Sequence, residues 1–510
     1  MTTAQFCICL AIAVYLIAML GVGVWFAKRN NSVDDFYLGG RKLGPFVTAM
    51  SAEASDMSSW LLMGLPGVAY LTGLAEASWT AIGLAIGTYI NWLIVARRIR
   101  RYSNRLDAIT VPQFFSKRWG DERNLLSAIA AVVIIIFFVP YLASGFSACG
   151  KLFASLFGVE YITAMLISAA VIVIYTVMGG FLAASFTDLI QSIIMTVALI
   201  VVLGFGVVNA GGMDAVLDNA RSMAGYLSLS NIYDPASGSS NPYSLLTICS
   251  LLAWGLGYFG MPHILLRFMA IEDEKKLPLS RRVATVWVVI SMGVAIIIGV
   301  VGSGMTKAGA LEQLADSETI IVRIASLIGD HGVFAALVAG VILAGILAAT
   351  MSTADSQLLA ASSSVSQNLA VEFFHLKISG KKSVFVARAT MVGVSLLAAF
   401  LARDPDSSVF RVVSFAWAGF GAAFGPTVLF ALFWKRSNKW GALAGMIAGG
   451  AMVFIWKYLI APMGGAWAIY ELLPAFLVNV AVLVAVSLLT AQPTEQIEQE
   501  FADVQAAVKQ

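Results

Sequence analysis

The sequence predicts an all-α polytopic membrane protein, and three observations carry that prediction. Apolar residues make up 59% of the chain and charged residues only 12%, about half the charged share of a soluble domain. The apolar residues gather into roughly 13 runs, each near the ~20 residues that a helix needs to cross a bilayer. The basic residues collect between alternate runs, so that about 25 of the 32 Lys and Arg lie on one side of the membrane. That bias predicts an outside N-terminus, an inside C-terminus and an odd number of spans. A net charge of +3 with no Lys/Arg block gives no footing for nucleic acid. The four cysteines lie in or beside apolar runs without metal or disulfide spacing, and the three histidines are scattered, so neither type suggests a zinc site.

Taken in order, the runs predict spans at approximately 5–27, 43–72, 75–97, 123–156, 160–178, 181–211, 242–268, 281–306, 331–366, 383–402, 408–434, 438–460 and 466–490. The first reads as a retained span rather than a cleavable leader. It has no basic residue ahead of its long apolar stretch, and Lys28 and Arg29 follow it. Only "MGG" at 178–180 separates the fifth span from the sixth. The connectors "KRNNSVDDFYLGGRK", "ARRIRRYSNR", "SKRWGDER", "EDEKKLPLSRR", "HLKISGKK" and "KRSNK" form the basic face. The polar tail "TEQIEQEFADVQAAVKQ" reads as a short helix or a disordered end, with no soluble domain appended.

Two spans are interrupted near mid-depth, 43–72 at "SAEASDMSS" and 242–268 at "WGLGYFGMPH". Gly255, Gly257, Gly260 and Pro262 make the second a poor continuous helix. Broken spans at corresponding places of two halves are the mark of an inverted-repeat transporter. The chain then divides into an extra N-terminal helix and loop (1–42), a first five-helix repeat (43–211), an external loop with a second repeat (212–434), two further helices (435–490) and a cytoplasmic tail (491–510).

The chemistry-bearing residues cluster at those breaks. Asp56 lies roughly 20 Å into its span at 1.5 Å per residue, near the middle of a hydrocarbon core ~30 Å thick. A carboxylate there faces a polar cavity, a partner or an ion; its alternative role is a cap on the second half-helix at Ser58 and Ser59. Glu53 lies three residues earlier, so two acids would repel on an unbroken helix. Unwinding between them, a proton on one, or a nearby cation would relieve that repulsion. In "AGILAATMSTADSQLLAASSS", Ala349, Ser352, Thr353 and Ser356 share one helix face. Hydroxyls there, with carbonyls released by an unwound partner helix, can hold a sodium ion; alone, each hydroxyl would simply pack or bond back to its own helix. Asp188 and Asp355 are further mid-span acids. Trp254 and Tyr258 flank the second break at mid-depth and Tyr141 follows Pro140 in mid-span, where they suit either core packing or the wall of a small-solute pocket.

The stretches "YLGGRKLGPFVTAMSAEASDMSSWLLMGLPG", "WGLGYFGMPHILLRFMA", "ILAATMSTADSQLL" and "SFAWAGFGAAFGPTVLF", long and in a fixed order over nearly the whole chain, resemble the sodium:solute symporter family, and within it the sodium/proline symporters. The resemblance implies a LeuT-like core of five plus five helices in a multi-pass protein of the bacterial cytoplasmic membrane. It implies sodium-driven uptake of L-proline, with sodium as co-transported ion, no organic cofactor and a monomer as the working unit. Sodium would be held by the carbonyls of Ala54, Met57 and Ala349 and the hydroxyls of Ser352 and Thr353. Asp56, Arg41 and Asp188 would serve ion coupling. Proline would lie against Ser58, Tyr141, Trp254, Tyr258 and Pro262. Glu53, Ser59 and Asp355 depart from the family pattern, where a glycine, a glycine and a neutral residue stand; the first bears on proton or lithium preference and the second on pocket size.

Other readings keep less of the sequence. Another small solute (an amino acid, a monocarboxylate or pantothenate) retains the ion site and changes the pocket. A transporter-fold sensor would want a soluble domain after residue 490. A membrane enzyme would want a nucleophile–base pair or a metal set. A channel would draw its pore rings from several subunits.

Overall fold

The computed structural model describes residues 2–27, 33–378 and 381–509. Lys28 and Arg29, which mark the end of the first span in sequence, lie outside the described residues.

The chain is helical nearly throughout. Helix α1 (Thr3–Ala27) precedes the first broken element, α2 (Pro45–Ser59), a π turn over Trp60–Gly64 and α3 (Leu65–Thr72). There follow α4 (Leu74–Ile90), α5 (Ala96–Arg105), the short α6 (Val111–Arg118), α7 (Leu125–Phe157), α8 (Tyr161–Gly179) and α9 (Phe181–Asn209). The loop after α9 holds α10 (Met213–Ser222) and an antiparallel hairpin, β1 (Asn231–Asp234) with β2 (Ser239–Pro242). The second broken element is α11 (Leu245–Leu252), a 3-10 segment Ala253–Gly260, and α12 (Pro262–Ala270). Then come α13 (Leu277–Lys307), α14 (Ile320–Gly329), α15 (Val333–Ser363), α16 (Lys381–Leu401), α17 (Val409–Phe433), α18 (Lys439–Ile455), α19 (Leu472–Leu489) and α20 (Glu495–Lys509).

Among the described residues, 11 helices are long and apolar enough to cross a membrane, or up to 12 with the bent pair 245–260 and 262–270 taken as one span. The sequence reading of about 13 spans also included 43–72. That element is long enough, but Glu53, Asp56 and a row of serines dilute its apolar character, so it does not pass by composition. The division at "MGG" holds, with α8 ending at Gly179 and α9 starting at Phe181. The tail forms the helix α20. It docks through buried Phe501 and Val504, an Arg105–Asp503 ion pair at 2.8 Å, and the Phe501 ring, whose centroid lies 4.9 Å from the Arg118 guanidinium carbon.

The two breaks have different causes, tertiary packing at the first and local backbone chemistry at the second. Ser58 takes φ 48° and ψ −169°, a conformation strained for a residue with a Cβ. Strain of this type costs of order 1–3 kcal/mol and persists where surrounding packing holds it. In the second element, proline at the first position of α12 cannot donate a backbone hydrogen bond, and the axis bends by 48° there. The glycines ahead of it allow close approach. The Trp417 indole of α17 occupies the place a side chain on Gly257 would take, and the backbones of Gly87 and Gly255 touch. Around these breaks pack α2, α7, α9, α12, α15 and α17, which put the polar residues of two broken spans inside one helical core.

Candidate functional site

The first half of the site is built where α2 meets α15. A helix end leaves carbonyls without amide partners and concentrates negative potential there. The last turns of α2 therefore direct carbonyl oxygens toward the break at Ser58. Across from them, the Ser352 hydroxyl of α15 lies 2.9 Å from the Ala54 carbonyl oxygen and 3.1 Å from that of Ala349. The Thr353 hydroxyl lies 3.2 Å from the same Ala349 oxygen. Four of the five residues expected at an ion site are thus linked through Ser352 and the Ala349 carbonyl, and all four are buried. Met57, also buried, follows on the same helix end, with its carbonyl accepting from the Trp60 amide. Ser356, on the same face one turn on, also bonds back to Ser352 oxygen at 3.0 Å. Among the described residues, no group of three or more His, Cys, Asp and Glu is placed to hold a metal ion. The oxygens available to an ion are neutral hydroxyls and carbonyls, a set suited to a hard monovalent cation.

The second half is centred on Asp56. Tyr258, in the 3-10 segment, donates its hydroxyl to Asp56 Oδ2 at 2.6 Å, and Tyr141 of α7 donates to the Asp56 backbone oxygen at 2.9 Å. Asp56 therefore ties both tyrosines to the end of α2. Its second carboxylate oxygen is buried without a hydrogen-bond donor among the described residues. The cap at the break is supplied by Ser58, whose hydroxyl accepts from the Trp60 amide at 3.1 Å, so the alternative role of Asp56 as the cap is not what the structure has. Glu53 and Asp56 are not separated by unwinding, because α2 remains helical through both and breaks only at Ser58. They are separated by partners: Glu53 accepts from the Trp92 indole at 2.9 Å while Asp56 turns to Tyr258.

Trp254 is buried in an aromatic cluster. Its ring centroid lies 5.0 Å from Tyr470, 5.6 Å from Trp60, 5.6 Å from Phe410 and 6.5 Å from Trp417. Trp417 also meets Tyr258 edge-on at 5.0 Å and donates to the Trp254 backbone oxygen at 2.8 Å. Trp60, Phe410, Trp417 and Tyr470 were not singled out by sequence. Trp417 lies in "SFAWAGFGAAFGPTVLF", but nothing in its spacing marks it as a neighbour of Trp254, 163 residues away. Pro262 is buried at the first turn of α12, whose N-terminal end carries positive potential.

Arg41 and Asp188 are not brought to these groups. Arg41 bonds the backbone oxygens of Met269 and Ala108 at 2.8 Å each, joining its loop to the far end of α12 and to the segment before α6. Asp188 accepts from Ser51 at 2.6 Å and pairs with Arg267 at 3.1 Å. Arg267 also reaches Ser51 at 2.9 Å and Ser356 at 2.5 Å. Asp355, also buried, accepts at its Oδ1 from the Ser356 hydroxyl, 3.2 Å away. This buried network touches the face of α15 that carries Ser352 through Ser356, which bonds both Arg267 and the Ser352 oxygen. Sequence alone did not identify Arg267 as its centre, because a single basic residue in a broken span names no partner.

The family model described as "Sodium:solute symporter family" matches residues 36–449. The chain is 42% identical to the "High-affinity proline transporter PutP" of Bacillus subtilis over 96% of this chain and all of that one. It is 39% identical to the "Osmoregulated proline transporter OpuE" of the same organism, over 98% and 99% of the two chains. It is 40% identical to the "Sodium/proline symporter" of Escherichia coli, over 97% and 95%. Among solved structures, a Na+-coupled sialic acid symporter in a substrate-bound outward-open state superposes with a TM-score of 0.77, at 18% identity, over 96% of this chain and 99% of that one. That likeness shows the fold, a LeuT-like transporter arrangement.

Proposed function

The chain belongs to the sodium:solute symporter family, and from that premise we propose that it couples inward sodium movement to the uptake of L-proline. The observation that carries this reading is the convergence of Ala54, Ala349, Ser352 and Thr353 beside Asp56, which itself links Tyr141 and Tyr258. An ion between α2 and α15 holds the first broken helix against its neighbour. The same helix carries Asp56 and Ser58, so ion binding organises the solute wall, and by linkage solute binding raises ion affinity equally.

Proline is a zwitterion with a compact apolar ring. Its carboxylate suits the half-helix N-termini that follow the two breaks, at Trp60 and at Pro262. Its ammonium suits the faces of Trp254 and Tyr258, and its ring suits the apolar remainder of that wall. Met57 completes the ion site in this reading, while Arg41 and Asp188 act on coupling from outside it, Asp188 through Arg267 and Ser356. The polar groups converge within one chain, which supports a monomer as the working unit. The basic connectors support an outside N-terminus and an inside C-terminus in the bacterial cytoplasmic membrane. The two breaks support repeats over 43–211 and 212–434, with 1–42, 435–490 and the tail 491–510 outside the core.

The test is radiolabelled L-proline uptake into proteoliposomes, with and without an inward sodium gradient. Sodium-dependent accumulation competed only by close proline analogues is the expected result. Sodium-stimulated uptake of a different solute from a competition panel would overturn the pocket assignment, and no accumulation under sodium, proton or lithium gradients would overturn the transport reading.

A further inference from the structure

A groove of about 480 Å³ lies between α9 and α13, away from the site described above. Its rims are membrane-facing: Ile200, Val286 and Ile290 are each more than half exposed. The polar groups along its wall are engaged within the protein: the Trp287 indole donates to the Thr196 hydroxyl at 2.9 Å, and the Ser291 hydroxyl donates to the Val288 backbone oxygen at 3.2 Å. From Arg282 to Val294 the groove follows about three turns of α13, roughly 18 Å, which is close to the hydrocarbon depth of one leaflet. Arg282 stands at its mouth, on the end of α13 that follows the basic connector. Arg282 is exposed, and among the described residues it has no ion-pair partner.

We propose that this groove holds one acyl chain of an anionic phospholipid, with the lipid phosphate on Arg282. Length, apolar lining and a single cation at headgroup level together fit a lipid. A flat apolar flank would need only bulk lipid, whereas a concave one with a cation at its mouth selects a chain joined to an acidic headgroup. Met50 of α2 lines the groove, one residue before Ser51, which donates to Asp188. The bound chain therefore packs against the broken helix that carries Asp56.

Native mass spectrometry of the full-length protein in mild detergent, titrated with phosphatidylglycerol or phosphatidylcholine of the same chains, tests this. One phosphatidylglycerol should be retained in preference to phosphatidylcholine. Arg282→Gln should reduce that preference about fivefold, the worth of one basic side chain at a membrane surface, and Val286→Trp should fill the groove and reduce retention of both lipids. Arg282 bonds no other described residue, so its replacement leaves folding intact. Equal retention of the two lipids by the wild type, or a preference unchanged in Arg282→Gln, would mean contact with bulk lipid only and overturn the proposal. A dimer whose formation excludes lipid would assign the groove to a second copy and overturn it as well.

Discussion

The hydroxyl of Tyr258 lies 2.6 Å from the carboxylate of Asp56, 202 residues away in sequence. This bond joins the two broken elements at their breaks. It places the acid of the first against the aromatic wall of the second, so a change at either break is felt at the other.

Asp56→Asn preserves size and an acceptor for Tyr258 but removes the charge. The half-activating sodium concentration for proline uptake should rise about tenfold or more, equivalent to ~1.4 kcal/mol, with the protein still monodisperse. Unchanged sodium activation would remove Asp56 from coupling. Tyr258→Phe should also weaken sodium activation, and the double variant should fall short of the sum of the two, because both singles break one bond.

Ser352 touches carbonyls of both α2 and α15, whereas Thr353 bonds only within α15. Ser352→Ala should therefore raise the sodium requirement more than Thr353→Ala. Sodium titrations of uptake at fixed proline decide this. Equal shifts would show that the contact across the two helices is not what matters, and no shift in either would move the ion elsewhere.

Trp254→Phe keeps an aromatic ring among Tyr470, Trp60 and Phe410 while shortening the wall. The proline concentration for half-maximal uptake should rise several-fold, in line with ~1 kcal/mol for an aromatic contact, with little change in the sodium requirement. Parallel losses in both would indicate packing damage, the expected outcome for the larger truncation to alanine.

Arg267→Met leaves Asp188 buried without its cation. Removing one partner of a buried pair costs about 3–5 kcal/mol, so the melting temperature in detergent should drop clearly. Asp188→Asn in the same chain should recover part of that loss. If the double variant melts no higher than the single, the pair is not the source of the destabilisation.

Much of this architecture was legible in the residues. Glycine and proline at 255–262 announced the second break because their backbone chemistry is local. Ala349, Ser352, Thr353 and Ser356 announced one face because helical spacing is local as well. The position of the first break was not legible to the residue: no glycine or proline marks Ser58, and its positive φ is imposed by the packing around it. Nor was the relief of the two acids, which depends on Trp92 for one and Tyr258 for the other.

By itself, then, the sequence determined the solvent of this protein, its helical spans, the two interruptions and the polar face of α15. Each follows from hydropathy or backbone preference within one stretch of chain. Only the tertiary structure decided which oxygens meet, that Arg267 pairs Asp188, that Arg41 holds a distant loop, and that Trp60, Phe410, Trp417 and Tyr470 surround Trp254. Those relationships join side chains from different helices, and their partners are set by how the helices pack rather than by any spacing along one of them.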